Sequence, residues 1–323
     1  MNFNLLIDNL TNPALLFFVL GILSVRLKSD LEIPPNSSKF ISLYLLFSIG
    51  FKGGQELAHS HFTLEIIATM IFGVIIACLI PVYTFFILKF KLNTEDSGAV
   101  AAAYGSVSAV TFVTAISFLE IQNITFGGHM VAVMALMEAP AIVVGVILIR
   151  WFSKDEETNP KISSVIKHSF TNGSVLLILG SLVIGLLTSE KQALGIKPFT
   201  TDIFKGFLAI FLLDMGILSG RKLNDFIKKG WFVALFAIFI PLINGCLVAF
   251  LSGLVTSDTG NRFILSILAA SASYIAVPVA MKITVPKANP GIFLPMALAV
   301  TFPFNITFGM PIYLSIIHFL QGH

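Results

Sequence analysis

The chain has 323 residues, of which 56% are hydrophobic and only 11% charged, with a net charge of +3. Its mean hydropathy is +0.92. A soluble domain carries about 25% charged residues, so a soluble fold is excluded and the chain reads as a polytopic, all-α membrane protein.

The first segment, Met1–Leu16, carries Asp8 and no basic run, so no cleaved signal peptide is expected. A membrane-crossing helix needs ~20 mostly apolar residues. Ten such spans are predicted in chain order, over 12–28, 38–54, 63–89, 97–119, 128–152, 171–189, 201–219, 230–254, 262–283 and 291–319. The second and seventh are short and end in glycine, which predicts tilted or partly re-entrant segments. Cys78 and Cys246 fall inside apolar spans and are expected to be buried thiols. Lys and Arg divide unevenly between the two sides. Only Lys52, Lys191, Lys197, Lys205 and Arg262 fall in one set of alternate loops; all the others fall in the opposite set. Basic loops face the cytoplasm, so the expected protein is multi-pass with both termini outside.

The two halves resemble each other. Ser48–Leu57 (SIGFKGGQEL) lies over Asp214–Leu223 (DMGILSGRKL), at an offset of 166. Gly105–Ala109 (GSVSA) lies over Ala270–Tyr274 (ASASY), Met134–Pro140 over Met296–Pro303 with one insertion, and Pro81 over Pro241. An odd number of spans per half makes the second half enter the membrane from the other side. The expected organisation is therefore two inverted five-helix repeats, 1–154 and 163–323, joined by a polar cytoplasmic linker at 155–162.

Inverted repeats of this kind place substrate sites near the midplane, where discontinuous helices meet. Ser106 and Ser108 lie near the middle of the fourth span, Ser271 and Ser273 near the middle of the ninth. Pro278 is expected to free an upstream carbonyl in the ninth. Freed amides and helix N-termini hold anions; freed carbonyls and hydroxyls hold cations. Close packing of small residues is the competing reading of the serines.

Glu138 sits mid-span, where a carboxylate costs ~3 kcal/mol to insert, so it is a candidate for Na⁺ or a proton. Thr301, Asn305 and Thr307 offer oxygens in the last span. Asp214, near the end of the seventh span, reads better as an interfacial carboxylate, and Lys52 as reaching an aqueous edge. His59, His61 and Glu56 lack a metal-binding pattern. No nucleotide-binding or Ser-His-Asp arrangement appears, so neither ATP-driven transport nor enzymatic activity is expected.

The runs Ala101–Glu120 (AAAYGSVSAVTFVTAISFLE), Ala135–Val143 (ALMEAPAIV) and Leu268–Pro290 (LAASASYIAVPVAMKITVPKANP), with Gly50–Gly54 (GFKGG), resemble the sodium-dependent bicarbonate transporter family, SbtA type, over nearly the whole chain. The resemblance implies ten spans in core and gate subdomains with crossed broken helices, a homotrimer, and Na⁺-driven bicarbonate uptake through a bacterial inner membrane. It places anion-binding serines on Ser106 or Ser108, Thr111, Ser271 and Ser273, and an acidic residue on Glu138, where cyanobacterial members typically carry Asp. This chain departs from the pattern. Ala272 and Tyr274 stand where those members carry serine and aspartate, and Ala109-Val110 where they carry Gly-Ser. The short linker does not support a PII-like regulatory partner.

The expected anion-binding set is therefore Gly105, Ser106, Ser108, Thr111, Ser271, Ser273 and Tyr274, and the sodium-binding set Glu138, Thr301 and Asn305. The expected function is Na⁺-coupled symport of bicarbonate or a similar small anion, with Na⁺ the coupling ion, no organic cofactor and no nucleic-acid partner. A Na⁺/H⁺ exchanger on the same architecture, or a non-transporting sensor or scaffold, is the alternative.

Overall fold

The computed structural model describes residues 11–59, 63–153, 171–227 and 230–322. The linker expected at 155–162 lies outside them, as do His61 and five of the basic residues used to orient the chain: Lys154, Lys161, Lys167, Lys228 and Lys229. The structure is all-helical, with 82% helix and no strand among the described residues.

Twelve helices are numbered in chain order. The first half holds α1 (Pro13–Arg26), α2 (Pro35–Ala58), α3 (Leu64–Leu88), α4 (Thr94–Gly105), α5 (Ala109–Ile121) and α6 (His129–Phe152). The second holds α7 (Gly173–Leu187), α8 (Phe204–Ile227), α9 (Trp231–Leu251), α10 (Thr259–Ala270), α11 (Ala276–Thr284) and α12 (Pro290–Gln321). Among the described residues, six stretches are long and apolar enough to cross a membrane: Leu64–Leu88, Thr94–Ile121, His129–Phe152, Pro198–Leu223, Trp231–Leu254 and Pro290–Gln321. The apolar helices α1 and α7 have 14 and 15 residues. At 1.5 Å per residue that is about 21–23 Å, short of a hydrocarbon core of ~30 Å.

The fourth and ninth expected spans are both interrupted. α4 stops at Gly105 and α5 starts at Ala109; α10 stops at Ala270 and α11 starts at Ala276. The last span remains one helix, but its turns widen to π geometry at Met296–Thr301 and Asn305–Gly309. Pro303 and Pro311 lack N–H groups, and widened turns accommodate that loss.

The re-entrant reading of the second and seventh spans is not upheld. α2 and α8 are unbroken 24-residue helices that run through their glycines. Those glycines serve close approach. A Cβ on Gly21 of α1 would collide with the Leu213 carbonyl oxygen of α8, and one on Gly216 with the Phe18 carbonyl oxygen. The crossing of α7 on α2 repeats this: Gly185 faces the Phe51 carbonyl oxygen and Gly54 faces that of Leu182. Small residues let membrane helices touch backbone to backbone.

The loop between α5 and α6 is tied to the start of α10. Asn261 Oδ1 accepts from the Gly127 N–H (2.7 Å), and Arg262 donates to the Ala249 carbonyl oxygen (2.9 Å), closing the end of α9. Cys78 and Cys246 are half-buried free thiols rather than fully buried ones.

The two crossings predict a sharp contrast between glycines. Gly216→Val forces apart α1 and α8 and costs about 1–3 kcal/mol, lowering the melting temperature in detergent. Gly180→Ala, which meets nothing within 4 Å, leaves it unchanged or raises it. Equal melting of the two variants would refute the contact.

Candidate functional site

The site is built where the two interruptions meet. Ser106, after α4, has φ −84° and ψ 170°; Ser271, after α10, has φ −82° and ψ 167°. Each leaves its helix in the same extended direction. Interrupting a helix strands carbonyls and amides that lipid cannot satisfy, and here the two breaks serve each other. The Ser273 N–H donates to the Ala103 carbonyl oxygen (2.8 Å). The Ser108 N–H donates to Ser271 Oγ (3.0 Å), whose own proton goes to the Leu268 carbonyl oxygen (2.8 Å). Ser108 Oγ accepts from the Thr111 N–H (3.2 Å), capping α5.

Pro278 does not act as expected. The break lies upstream, at 271–275, and Pro278 sits in the first turn of α11, where a missing N–H costs nothing.

Ser108, Ala109, Glu138, Ser273, Tyr274 and Ala276 line one small cavity at the crossing, of about 20 Å³. That is room for little more than one water molecule. The N-termini of α5 and α11 both open onto it, since Ala109 and Ala276 are their first residues. First-turn amides have no intrahelical acceptor and carry the positive end of the helix dipole. Glu138, 7% exposed, is a wall of the same cavity, and its backbone carbonyl accepts from Ser106 Oγ (3.4 Å).

Of the expected anion set, the structure brings Ser108, Ser273 and Tyr274 to this cavity. Ser106, Ser271 and Thr111 are buried in the hydrogen-bonded frame behind it. Gly105 is a packing position: a Cβ there would strike the Pro81 ring.

Of the expected sodium set, only Glu138 lines the cavity. Thr301 and Asn305 are buried in a separate network. Pro241 cannot donate to the Ala237 carbonyl oxygen one turn earlier, and Thr301 Oγ1 supplies that donor at 2.7 Å while bonded to Tyr104 Oη at 2.7 Å. Asn305 Nδ2 donates to the Ala270 carbonyl oxygen (2.7 Å), the last of α10, and Asn305 Oδ1 accepts from Tyr313 Oη (3.1 Å).

Asp214 is the residue that sequence reasoning missed. It is 4% exposed and accepts a hydrogen bond from Ser38 Oγ of α2. It lines a larger cavity, about 510 Å³, with Lys39, Arg221 and Tyr274. The only sequence signal was a carboxylate at the first position of the matched segment Asp214–Leu223.

Access is asymmetric. A second cavity of about 380 Å³ reaches from Lys39 to Glu138 and Ala276, so two openings approach the crossing from the Lys39 end. At the opposite end Glu120, at the close of α5, bonds Lys52 of α2 (3.5 Å) and Lys205 of α8 (3.3 Å). The cavity there, lined by Lys52, Glu56 and Glu120, shares no wall residue with the cavity at the crossing. Lys52 is thus at an aqueous edge, as expected, with 34% of its side chain exposed. His59 pairs with Glu190 (3.3 Å).

Comparison with known protein families matches residues 13–318 to the Na⁺-dependent bicarbonate transporter superfamily. The chain belongs to that superfamily. A comparison with curated proteins finds no match. Membership carries sodium dependence and bicarbonate transport as the family's properties, and the apolar helices agree with a multi-pass membrane protein.

The hydrogen bonds of Asn305 predict a structural role. Asn305→Ala leaves the Ala270 carbonyl without its donor and costs ~1–3 kcal/mol. The drop in melting temperature is expected to be equal in sodium and in choline buffers. A drop seen only in sodium would make Asn305 a cation ligand instead.

Proposed function

We propose that this protein is a Na⁺-coupled symporter of bicarbonate or a similarly compact anion. Its ten crossings form two inverted five-helix repeats, 1–154 and 163–323. The observation that carries the reading is the convergence of two helix N-termini, two serines and one buried carboxylate on a single small cavity. The first-turn amides of α5 and α11, with Ser108 and Ser273, are the anion's donors. Glu138 is the cation's ligand.

The repeat reading is supported by the paired extended serines and by the two glycine crossings, in which α1–α8 and α7–α2 each make the same two backbone approaches. The glycines favour pairing Gly54 with Gly216, an offset of 162, over the sequence match at 166. The difference is about one helical turn, within which a glycine-rich segment aligns almost equally well. Short α1 and α7 are accommodated by local thinning of the bilayer.

The ions arrive in order. An anion entering beside an ionised Glu138 is repelled; Na⁺ at that carboxylate removes the repulsion. The helices that carry the crossing then move against the pair of glycine-packed crossings. In the arrangement described above, the Lys39 side is accessible and the Glu120 ion pairs hold the other side shut. The Lys39 side is the cytoplasm on the positive-inside rule.

One observation favours a second reading, Na⁺/H⁺ exchange: Asp214, a buried carboxylate like Glu138, lines a cavity that shares Tyr274 with the one at the crossing. Proteoliposomes separate the two. Radiolabelled bicarbonate uptake is expected to require an inward Na⁺ gradient and to fall roughly tenfold at low bicarbonate in Ser273→Ala, the loss of one ~1.4 kcal/mol hydrogen bond. Glu138→Gln is expected to abolish Na⁺ activation while eluting as a folded protein. Na⁺-driven proton flux without bicarbonate, and no bicarbonate uptake, would establish the exchanger.

A further inference from the structure

The small cavity at the crossing and the large cavity at the Lys39 end have three wall residues in common, Ser174, Tyr274 and Ile275. Ser174 is too small to separate them, and the Ile275 side chain is largely turned outward, at 38% exposure. Tyr274 is held in place on two sides. Its ring stands edge-on to Phe302 of α12, with centroids 6.4 Å apart, and its hydroxyl donates to the Met215 sulfur of α8 (3.5 Å). A thioether is a weak acceptor, but the hydroxyl also interacts with the Ser108 side chain, so ring packing and hydroxyl together hold the side chain. The partition therefore consists of one aromatic ring braced between two helices.

The consequence concerns which anions fit. On one side of the ring lies a space of about 20 Å³ with serine and backbone donors; on the other lies about 510 Å³ bordered by Lys39, Asp214 and Arg221. A ligand held by the serines can extend no further in this direction than the face of the ring. We propose that Tyr274 is a specificity-determining residue of the anion site: its ring limits ligand length toward the Asp214 cavity, while Glu138 and Ala276 bound the site toward the cavity of about 380 Å³, restricting transport to compact anions without an apolar tail. The proposal rests on the anion-transport reading above and deepens it. It separates two roles of the tyrosine, since the length limit belongs to the ring and any hydrogen bond to the anion belongs to the hydroxyl.

The test uses purified full-length protein in proteoliposomes and the unbranched carboxylates formate, acetate, propionate and butyrate as competitors of Na⁺-dependent bicarbonate uptake. In the native protein inhibition is expected to fall away as methylenes are added. In Tyr274→Ala the inhibition constant of butyrate is expected to drop by roughly tenfold or more, the scale on which a tight apolar wall rejects one extra methylene. Tyr274→Phe, which keeps the ring, is expected to keep the native series. The same cut-off in Tyr274→Ala as in the native protein, or a cut-off lost in Tyr274→Phe, overturns the proposal. If Tyr274→Ala does not elute as a folded protein, Tyr274→Leu replaces it, retaining an apolar contact for Phe302 while shortening the wall.

A second readout needs no transport. With Cys78 and Cys246 replaced by alanine, Ser273→Cys is labelled by a water-soluble maleimide offered from the Lys39 side. Labelling is expected to be slow with Tyr274 present and several-fold faster with Tyr274→Ala. Equal rates would show that the ring does not control access to Ser273 from the Lys39 side, and would overturn the proposal. Absence of bicarbonate uptake by the native protein would instead refute the transport reading, while the labelling rates would still decide whether Tyr274 divides the two cavities.

Discussion

The arrangement depends on how two interrupted helices satisfy their own backbone. In lipid an unpaired amide or carbonyl costs several kcal/mol, so a helix can stop at mid-depth only where something replaces its lost hydrogen bonds. Each break supplies the other's missing partner. Ser273 gives its N–H to Ala103, and Ser271 offers its hydroxyl to the Ser108 N–H. Asn305, from a third helix, closes the Ala270 carbonyl. Neither break is self-sufficient. The crossing exists only as a pair, and that mutual requirement is a physical reason for both halves to carry serines at the same place.

Around this pair the rest of the chain acts as clamp and frame. The glycine contacts of α1 on α8 and α7 on α2 fix two backbone-to-backbone seams. Pro241 opens a donor gap at the Ala237 carbonyl, one turn earlier, and Thr301 fills it. Thr301 and Asn305 therefore have structural duties that occupy their donors. A cation bound there would compete for oxygens already engaged with Tyr104 and Tyr313. Glu138 has no such duty for its carboxylate. Among the described residues no salt bridge reaches it, and it faces the cavity, which leaves it free for ion chemistry.

Much of this was legible in the sequence. Long apolar runs located nearly every helix, because length and hydropathy alone decide what lipid tolerates. The serines at 106, 108, 271 and 273 stood out as polar groups at mid-span, and Glu138 as a carboxylate out of place. What was not legible depends on partners distant in the chain. Nothing near Asp214 in sequence announces Ser38, 176 residues away. Asn305 offered oxygens by type, but its role is set by which carbonyl α10 leaves bare. The glycines of α2 and α8 looked like helix ends, since glycine terminates helices in water. In a membrane they mark where another backbone comes close. Pro278 was read as the cause of a break, whereas the extended conformation of Ser271 already ends α10 before the proline is reached.

Under the proposed function, the neighbourhood of Glu138 gives coupling a physical basis. Two unit charges 4 Å apart interact by about 4 kcal/mol at an effective dielectric constant of 20. An anion seated on the α5 and α11 N-termini gains from two helix dipoles, each worth up to ~2 kcal/mol in a partly buried setting. Those gains are about the size of the repulsion from an ionised Glu138. Anion alone is thus near balance, and Na⁺ alone sits on a carboxylate facing two positive helix ends. Only together do the two ions complete a site in which each charge has an opposite neighbour. Under the proposed function, a single buried carboxylate opposite paired helix N-termini is enough to make occupancy by one ion depend on the other.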